Sequence, residues 1–145
     1  MTSEATTIEL PEATKGTAIM PDLSEGVAYM DGEYIPINET KISVLDWGFI
    51  KSDVTYDVVS VWDGEFFRLE DHLDRFESSC AKLRLTLPVS RDEIRGILTE
   101  CVRRSGLRES YIEMVCTRGL MPAGVPRHPK NCVNTFFAYA IPYIW

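Results

Sequence analysis

Two stretches of the chain alternate apolar and polar residues on either side of an Asp-Gly pair, which predicts two β-hairpins. Asp31-Gly32 interrupts the first stretch and Asp63-Gly64 the second. Asp-Gly favours a two-residue turn whose twist matches that of the flanking strands. The predicted strands cover residues 27–30 and 33–36 in the first hairpin, and residues 55–62 and 65–68 in the second. Residues 42–53 between the hairpins are predicted to be a connection with a bend at Gly48.

Apolar residues spaced three and four apart predict two amphipathic helices after the hairpins. The first helix carries the stripe Leu69, Leu73, Phe76, Cys80 and Leu83. The second carries the stripe Ile94, Ile97, Leu98, Cys101 and Val102. Pro88 follows the first helix, Ser90 and Glu93 have the spacing of a capping box, and Gly106 ends the second helix.

Two more strands are predicted at residues 111–117 and 135–144, joined by a loop rich in proline and glycine at 120–130. The order of hairpin, hairpin, helix, helix, strand and strand predicts an α+β fold, in which an antiparallel sheet carries two helices on one side. Residues 1–25 have no apolar period and are predicted to form an extended N-terminal arm.

Charge and composition narrow the classes of partner. The chain has 145 residues and a formal net charge of −7, so its overall field would repel the phosphates of a nucleic acid. No apolar run is long enough to span a membrane, and the first 20 residues lack the regions of a signal peptide. The sequence has no motif for a metal site or for dinucleotide binding. Its four cysteines form no CxxC pair, which favours a reducing, cytoplasmic location.

Polar residues in the first helix are the clearest candidates for chemistry. His72 and Arg75 lie three residues apart beside the apolar stripe, where a guanidinium could reach an anion. The alternative is a solvent-facing ion pair between Arg75 and Asp71 or Asp74, and the residues alone favour it.

The predicted strand over 55–62 offers a second group of candidates. It places Tyr56, Val58 and Ser60 on one face, which could line a pocket, although such a pattern is more common on a half-buried sheet face. Arg118 and Arg127, in and after the segment Thr117-Arg118-Gly119, are further residues able to bind a carboxylate, although arginines of this kind are usually solvated.

Several separated motifs, in a consistent order, resemble one protein family. From about Gly26 to Trp145 the chain is similar to the N-terminal domain of the class IV, fold-type IV aminotransferases that depend on pyridoxal 5'-phosphate, and especially to the (R)-selective amine transaminases. The matching segments are Asp46-Trp47-Gly48-Phe49, residues 52–58, Val61-Trp62-Asp63-Gly64, Phe67-Arg68-Leu69, His72-Leu73-Asp74-Arg75, Thr117-Arg118-Gly119-Leu120 and Pro142-Tyr143-Ile144-Trp145.

The resemblance implies a role for particular residues. Arg75 is similar to the arginine that binds the cofactor phosphate. The residues similar to the family's substrate-pocket positions are Tyr56, Val58, Ser60, Tyr111, Glu113 and the loop residue Arg127. Lys51 stands where close relatives often carry a histidine, so it adds a cation beside the expected pocket.

The resemblance also implies a division into domains. Residues 26–141 would form the small domain and residues 142–145 would begin a linker to a larger C-terminal domain. That domain would supply the Schiff-base lysine, because none of the lysines here occupies the family's lysine motif. We therefore expect no catalytic residue within this chain.

The function implied is transamination between a primary amine or an amino acid and a keto acid such as pyruvate, in a homodimer. The alternatives are a branched-chain or D-amino acid aminotransferase, an aminodeoxychorismate lyase of the same fold, and a non-catalytic α+β binding module.

Overall fold

The computed structural model describes residues 25–143, and within that range six strands form one antiparallel sheet. The strands are β1 (Val27–Met30), β2 (Glu33–Pro36), β3 (Val54–Trp62), β4 (Glu65–Phe66), β5 (Ser110–Leu120) and β6 (Val133–Pro142). Their spatial order is β2-β1-β6-β5-β3-β4, and every pair of neighbours is antiparallel. The predicted N-terminal arm lies outside the described residues except for Glu25, and the last two residues of the predicted linker also lie outside them.

Three α-helices complete the described part: α1 (Trp47–Ile50), α2 (Leu69–Lys82) and α3 (Arg91–Ser105). Short 3-10 turns occupy Ile37–Glu39 and Pro129–Asn131. Helices α2 and α3 pack on the same face of the sheet, so the predicted α+β fold is confirmed. The capping box of Ser90 and Glu93 at the start of α3 and the left-handed Gly106 at its end are also as predicted.

One continuous apolar core fills the space between the sheet and these two helices. Its fully buried residues come from alternate positions of the central strands and from the apolar stripes of the helices, and include Val59, Ile112, Met114, Ala138, Leu73, Phe76, Ile94 and Leu98. Burying one large aliphatic or aromatic side chain contributes about 1.5–3 kcal/mol. The core therefore fixes which face of each strand turns away from the helices, and this second face is called the open face below.

The return strand of the second hairpin is shorter than predicted. The sequence predicts a strand over 65–68, whereas β4 covers only Glu65–Phe66. Arg68 has a left-handed backbone with φ of 51°, and α2 begins at the next residue. A left-handed residue cannot continue a strand, so the chain turns directly into the helix.

The last two strands are displaced from their predicted bounds because β5 is longer and contains a bulge. The ladder between β5 and β6 shifts register between Thr117 and Leu120. Gly119 lies in this shift with φ of 75°, and a Cβ there would stand 1.7 Å from the carbonyl oxygen of Val133. Only glycine fits such a position. Pairing resumes past the bulge, so β6 begins at Val133 rather than at residue 135.

The predicted connection at 42–53 contains the short helix α1. Asp46 caps it, because its side-chain oxygen Oδ1 accepts the Gly48 N–H at 2.6 Å while Oδ2 accepts the Thr117 hydroxyl at 2.9 Å. A Cβ on Gly48 would stand 2.7 Å from the Cβ of Thr117, so glycine lets α1 approach β5 closely. A single helical turn is too short to show a period in the sequence.

Arg118 has a structural role, which corrects its candidacy as an anion-binding residue. Its side chain is buried and forms a bidentate pair with Asp53, with Nε to Oδ2 at 2.8 Å and Nη2 to Oδ1 at 3.1 Å. The same guanidinium donates to the carbonyl oxygens of Leu83 and Arg84, where α2 ends. These contacts tie β5 to the start of β3 and to the end of α2.

Candidate functional site

The five strand residues predicted to line a pocket share the open face of the sheet. In the ladder of β3 and β5, Val58 lies opposite Glu113 and Ser60 lies opposite Tyr111, while Tyr56 occupies the same face two residues before Val58. Residues that are paired across a ladder, and residues two apart along one strand, point to the same side of a sheet. The structure thus brings these five side chains together on one surface.

Glu113 is the polar centre of this surface. Its Oε2 accepts hydrogen bonds from the Tyr111 hydroxyl at 2.9 Å and from the Tyr139 hydroxyl at 2.6 Å. Burial, reinforced by the neighbouring carboxylate, raises the pKa of Tyr111 to about 12 and raises that of Tyr139 further above its ordinary value. Both phenols therefore stay protonated and act as donors to Glu113 at neutral pH.

Tyr139 also borders a cavity on the open face. This cavity has a volume of about 420 Å³ and lies between the sheet and the segment before α1. Its walls are mainly apolar, and they include Ala28, Met30, Lys41, Phe49, Phe137 and Tyr139. Through Tyr139, the Glu113 carboxylate is thus linked to the wall of a space large enough for a small organic molecule.

A second contact joins the open face of β3 to the end of β6. The Ser60 hydroxyl lies 2.5 Å from the Tyr143 hydroxyl, and the Tyr143 ring stacks on Trp62 with centroids 4.8 Å apart. Sequence reasoning missed Tyr139 and Tyr143. The signal that could have found them is the alternation of β6, which places Tyr139 on the same face as Phe137 and, continued one residue past the strand, reaches Tyr143.

Arg75, on α2, pairs with Asp57, whose side chain lies on the face of β3 opposite the open face. Its Nε donates to Asp57 Oδ2 at 2.5 Å and its Nη2 donates to Oδ1 at 2.8 Å, while His72 Nδ1 lies 2.8 Å from the same Oδ1. The prediction that Arg75 pairs with Asp71 or Asp74 is wrong, because Asp71 pairs with Arg68 and Asp74 pairs with Arg91. Sequence spacing could not show that strand β3 supplies the partner.

Asp57 is held as a carboxylate despite its burial. Burial opposes ionisation, but hydrogen bonds from Arg75 and His72 outweigh it and lower the pKa of Asp57 below its ordinary value of 3.8. Its Oδ1 also accepts the Val58 N–H at 2.8 Å. The edge of β3 that faces β4 is paired only at Val61 and Trp62, so the rest of this edge has no strand beside it in the part of the chain described. The Asp57 carboxylate accepts one of the N–H groups left there, that of Val58.

This arrangement gives Asp57→Asn a pH-dependent effect on stability. The lowered pKa means that Asp57 stabilises the fold above its unfolded-state pKa, and that this contribution is lost as the pH falls through the folded-state value. We therefore expect the difference in unfolding free energy between wild type and Asp57→Asn, measured with urea, to be largest near neutral pH and smaller below about pH 4. Asp71→Asn is the matched control, since its ion pair with Arg68 is exposed. A difference that does not vary with pH would contradict the assigned charge state.

The two cations predicted near the pocket, Lys51 and Arg127, each lie beside α1. Lys51 is exposed and follows the last residue of α1, and its N–H donates to the Trp47 carbonyl oxygen at 2.9 Å. Arg127 is exposed on its loop, with its guanidinium 5.6 Å from the centre of the Trp47 ring. Neither residue makes a hydrogen bond to Tyr56, Val58, Ser60, Tyr111 or Glu113.

Residues 25–143 contain neither a cluster of metal-ligating side chains nor a membrane-spanning helix. No group of three histidine, cysteine, aspartate or glutamate side chains is placed to hold a metal ion there. None of the helices in that range has the length and apolar character needed to cross a membrane.

Comparison with known proteins shows the family. Residues 55–145, more than half of the chain, match the family Amino-transferase class IV. The chain belongs to the class IV aminotransferases. Its sheet with two packed helices and its ordered motifs agree with that assignment, so the resemblance to the class IV aminotransferases is confirmed.

Individual relatives of this class IV aminotransferase chain are amino-acid aminotransferases. A Methanocaldococcus jannaschii protein, provisionally named a branched-chain-amino-acid aminotransferase, is 32% identical over 79% of this chain and 39% of its own length. The D-alanine aminotransferase of Staphylococcus haemolyticus is 29% identical over 65% of this chain and 33% of its own length. This chain therefore spans about two fifths or less of the length of these relatives.

A solved structure supports the same fold. The T.th. branched-chain amino acid aminotransferase with pyridoxamine 5'-phosphate superposes with a TM-score of 0.72 and 28% identity, covering 81% of this chain and 40% of that one. Class IV aminotransferases depend on pyridoxal phosphate, and this relative was solved with the amino form of that cofactor.

Arg75 fits the phosphate group of such a cofactor. The side chain is 65% exposed, whereas its partner Asp57 is only 3% exposed. Asp57 occupies Nε and Nη2 along one edge of the guanidinium, while Nη1 has no partner among residues 25–143. A guanidinium that is anchored on one side and open on the other is suited to bind an oxyanion.

Proposed function

We propose that this chain is the small domain of a pyridoxal-phosphate-dependent aminotransferase, in which Arg75 binds the cofactor phosphate and the open face forms one wall of the substrate pocket. The observation that carries the proposal is the pair of Asp57 and Arg75. A buried carboxylate orients an exposed guanidinium and leaves part of it free, as a fixed anion-binding group requires. The family membership supports the identity of the anion.

The chemistry is divided between this chain and the cofactor. When bound, pyridoxal phosphate supplies the electron sink for transfer of the amino group. The residues of this chain bind and orient: Arg75 holds the phosphate, and Tyr56, Val58 and Ser60 with Tyr111 and Glu113 contact the substrate. We propose that residues 26–141 form the small domain, that residues 142–145 begin a linker, and that a larger domain supplies the Schiff-base lysine.

For the substrate, we propose a primary amine, taken with R selectivity, and a keto acid such as pyruvate as the amino acceptor. An enzyme restricted to amino acids needs a fixed cation for the substrate carboxylate. Strands β3, β5 and β6 place no arginine or lysine on the open face in the part of the chain that the structure describes. The exposed loop residue Arg127 could bind the carboxylate of the keto acid and withdraw from an uncharged amine.

A branched-chain or D-amino acid aminotransferase is the second candidate, and the functions named for the relatives favour it. Lys51 and Lys41 would then be the cations available for the substrate carboxylate, since both are exposed on the segment that carries α1. An aminodeoxychorismate lyase of the same fold would use the same phosphate contact but a different acceptor.

The two candidates differ in the effect of Arg127→Ala on the two half-reactions. We expect the variant to slow the half-reaction with keto acid far more than the half-reaction with amine, because only the keto acid carries a carboxylate. Single-turnover kinetics on the whole enzyme measure the two separately. Lys51→Ala is the second discriminating variant, because the amine assignment expects it to leave the ratio of the two rates unchanged.

Two other outcomes would count against this reading of the pocket. Equal losses in both half-reactions for Arg127→Ala would contradict the mobile arginine. A loss confined to amino-acid donors for Lys51→Ala would favour the amino-acid aminotransferase.

We also propose that the enzyme is a cytoplasmic homodimer. Several large apolar side chains around α1 are exposed, including Val44, Leu45 and Phe49, the last at 72%. An apolar cluster of this kind suits burial against a second subunit. The cytoplasmic location is supported by the cysteines, since all four are free thiols.

A further inference from the structure

The hydrogen bonds around Glu113 leave a polar surface that can accept further hydrogen bonds but cannot donate any. An ionised carboxylate has no proton to donate, so both hydroxyl protons, from Tyr111 and Tyr139, point to its Oε2. Each phenol has then used its one donor. The lone pairs of the two hydroxyls and of Oε1 receive no hydrogen bond from any other residue between 25 and 143. The three side chains form an acceptor cluster that carries one negative charge.

The surroundings of the acceptor cluster do not neutralise it. Across the ladders, Glu113 lies between Val58 on β3 and Tyr139 on β6, and Val115 follows it on the same face. Lys41 lines the same cavity as Tyr139 and makes no ion pair within the described range. A ligand that enters this cavity therefore lies beside the Tyr139 hydroxyl, which bonds a carboxylate that has no cationic partner among the residues described.

Tyr139 determines where that carboxylate points. It lies directly opposite Glu113 in the ladder, and its hydrogen bond at 2.6 Å is the shorter of the two. Tyr111 and Tyr139 approach the same oxygen from two strands, so the rotation of the carboxylate is restricted. A fixed acceptor binds a donor with less loss of entropy than a mobile one does.

We propose that the acceptor cluster of Glu113, Tyr111 and Tyr139 selects substrates that carry a second hydrogen-bond donor or cation, such as amino alcohols and diamines, and rejects substrates with a carboxylate at the same place. Glu113 is the specificity-determining residue and Tyr139 is its positioning residue. The inference rests on the proposed function, because it takes the open face to be a wall of the substrate pocket.

The test compares four donors of the same chain length, counted in non-hydrogen atoms, each with pyruvate as acceptor and the whole enzyme with bound cofactor. Pentan-2-amine ends in a methyl group, 3-aminobutan-1-ol in a hydroxyl, 1,3-diaminobutane in an ammonium and 3-aminobutanoate in a carboxylate. We expect kcat/KM for the hydroxyl and ammonium donors to exceed that for the carboxylate donor by about tenfold to hundredfold, as for a charge-assisted contact.

Variants separate the roles within the acceptor cluster. Glu113→Gln should bring that ratio to within about threefold of unity, because the amide has no charge and can also donate. Tyr139→Phe should reduce the ratio to an intermediate value. Tyr34→Phe, a tyrosine on the helix side that stacks with Arg104, is the matched control and should leave the ratio unchanged.

A spectroscopic measurement tests the acceptor cluster without any reaction. Titration of phenol absorbance should show the raised pKa of Tyr111, about 12, falling toward its ordinary value of 10.0 in Glu113→Gln. An unchanged titration would overturn the acceptor cluster itself. A shifted titration with an unchanged donor ratio would overturn its role in selection.

The neutral donor tells failure of this inference apart from failure of the proposed function. If pentan-2-amine is transaminated but the carboxylate donor is used as well as the hydroxyl donor, the selection is wrong and the aminotransferase assignment stands. If none of the four donors is transaminated while the phenol titration shifts as expected, the amine activity is wrong, and the selection is overturned with it.

Discussion

Arg75→Ala is expected to weaken the binding of pyridoxal phosphate to the aminotransferase about tenfold to hundredfold, the loss of one charge-assisted contact of about 1.5–3 kcal/mol. The effect should depend on the phosphate, because Arg75 is proposed to bind nothing else on the cofactor. Equilibrium titration with pyridoxal phosphate and with pyridoxal, which lacks the phosphate, measures this directly. The variant should bind pyridoxal as the wild type does.

Arg68→Ala is the matched control for that experiment. Arg68 also lies beside α2, and its pair with Asp71 is exposed and three residues apart, so it should not change the affinity for either compound beyond about twofold. An equal loss of affinity for pyridoxal and for pyridoxal phosphate in Arg75→Ala would show a general disturbance of the fold. Unchanged affinity for both compounds would show that Arg75 does not bind the phosphate.

Arg118→Met is expected to lower the free energy of unfolding by about 3–5 kcal/mol, a large part of the stability of a small domain. The variant leaves the Asp53 carboxylate and the carbonyl oxygens of Leu83 and Arg84 without their shared donor. Methionine fills much of the volume of the arginine stem, so the loss reports the hydrogen bonds more than a cavity. Urea unfolding followed by circular dichroism measures the change.

Arg103→Met provides the comparison at an exposed position. Arg103 pairs with Glu100 one turn away on α3 and is largely exposed, so its replacement should cost less than about 1 kcal/mol. If Arg118→Met proved no more destabilising than Arg103→Met, the ties between β5, β3 and the end of α2 would be energetically unimportant. Arg118 would then again be a candidate for binding a carboxylate, as the sequence first indicated.

The elements that the sequence predicts well are those that depend on neighbours in the chain. The first hairpin around Asp31-Gly32 and the capped helix α3 follow from turn chemistry and a repeating apolar spacing, both of which are local. The length of β4 and the start of β6 could not be predicted, because each is decided by a residue with a left-handed backbone, Arg68 or Gly119.

Contacts between distant parts of the chain account for most of what the sequence could not predict in the site. Period-two alternation correctly placed Tyr56, Val58 and Ser60 on one face, but it could not show that Tyr139 bonds Glu113 from the other neighbouring strand. The partner of Arg75 is 18 residues away, in a strand, whereas spacing along the helix favoured Asp71 or Asp74. The roles of these residues toward cofactor and substrate came from the family resemblance and stay predictions.

We propose that this chain binds the cofactor phosphate while a larger domain supplies the Schiff-base lysine. This proposal is tested most directly by locating the lysine that binds the cofactor. The whole protein would be incubated with pyridoxal phosphate, reduced with borohydride, digested and analysed by mass spectrometry. The account predicts one stoichiometric pyridoxyl-modified lysine outside residues 1–145, while Lys15, Lys41, Lys51, Lys82 and Lys130 stay unmodified. A stoichiometric modification at any one of these five would contradict it, because this chain would then contain the catalytic residue itself.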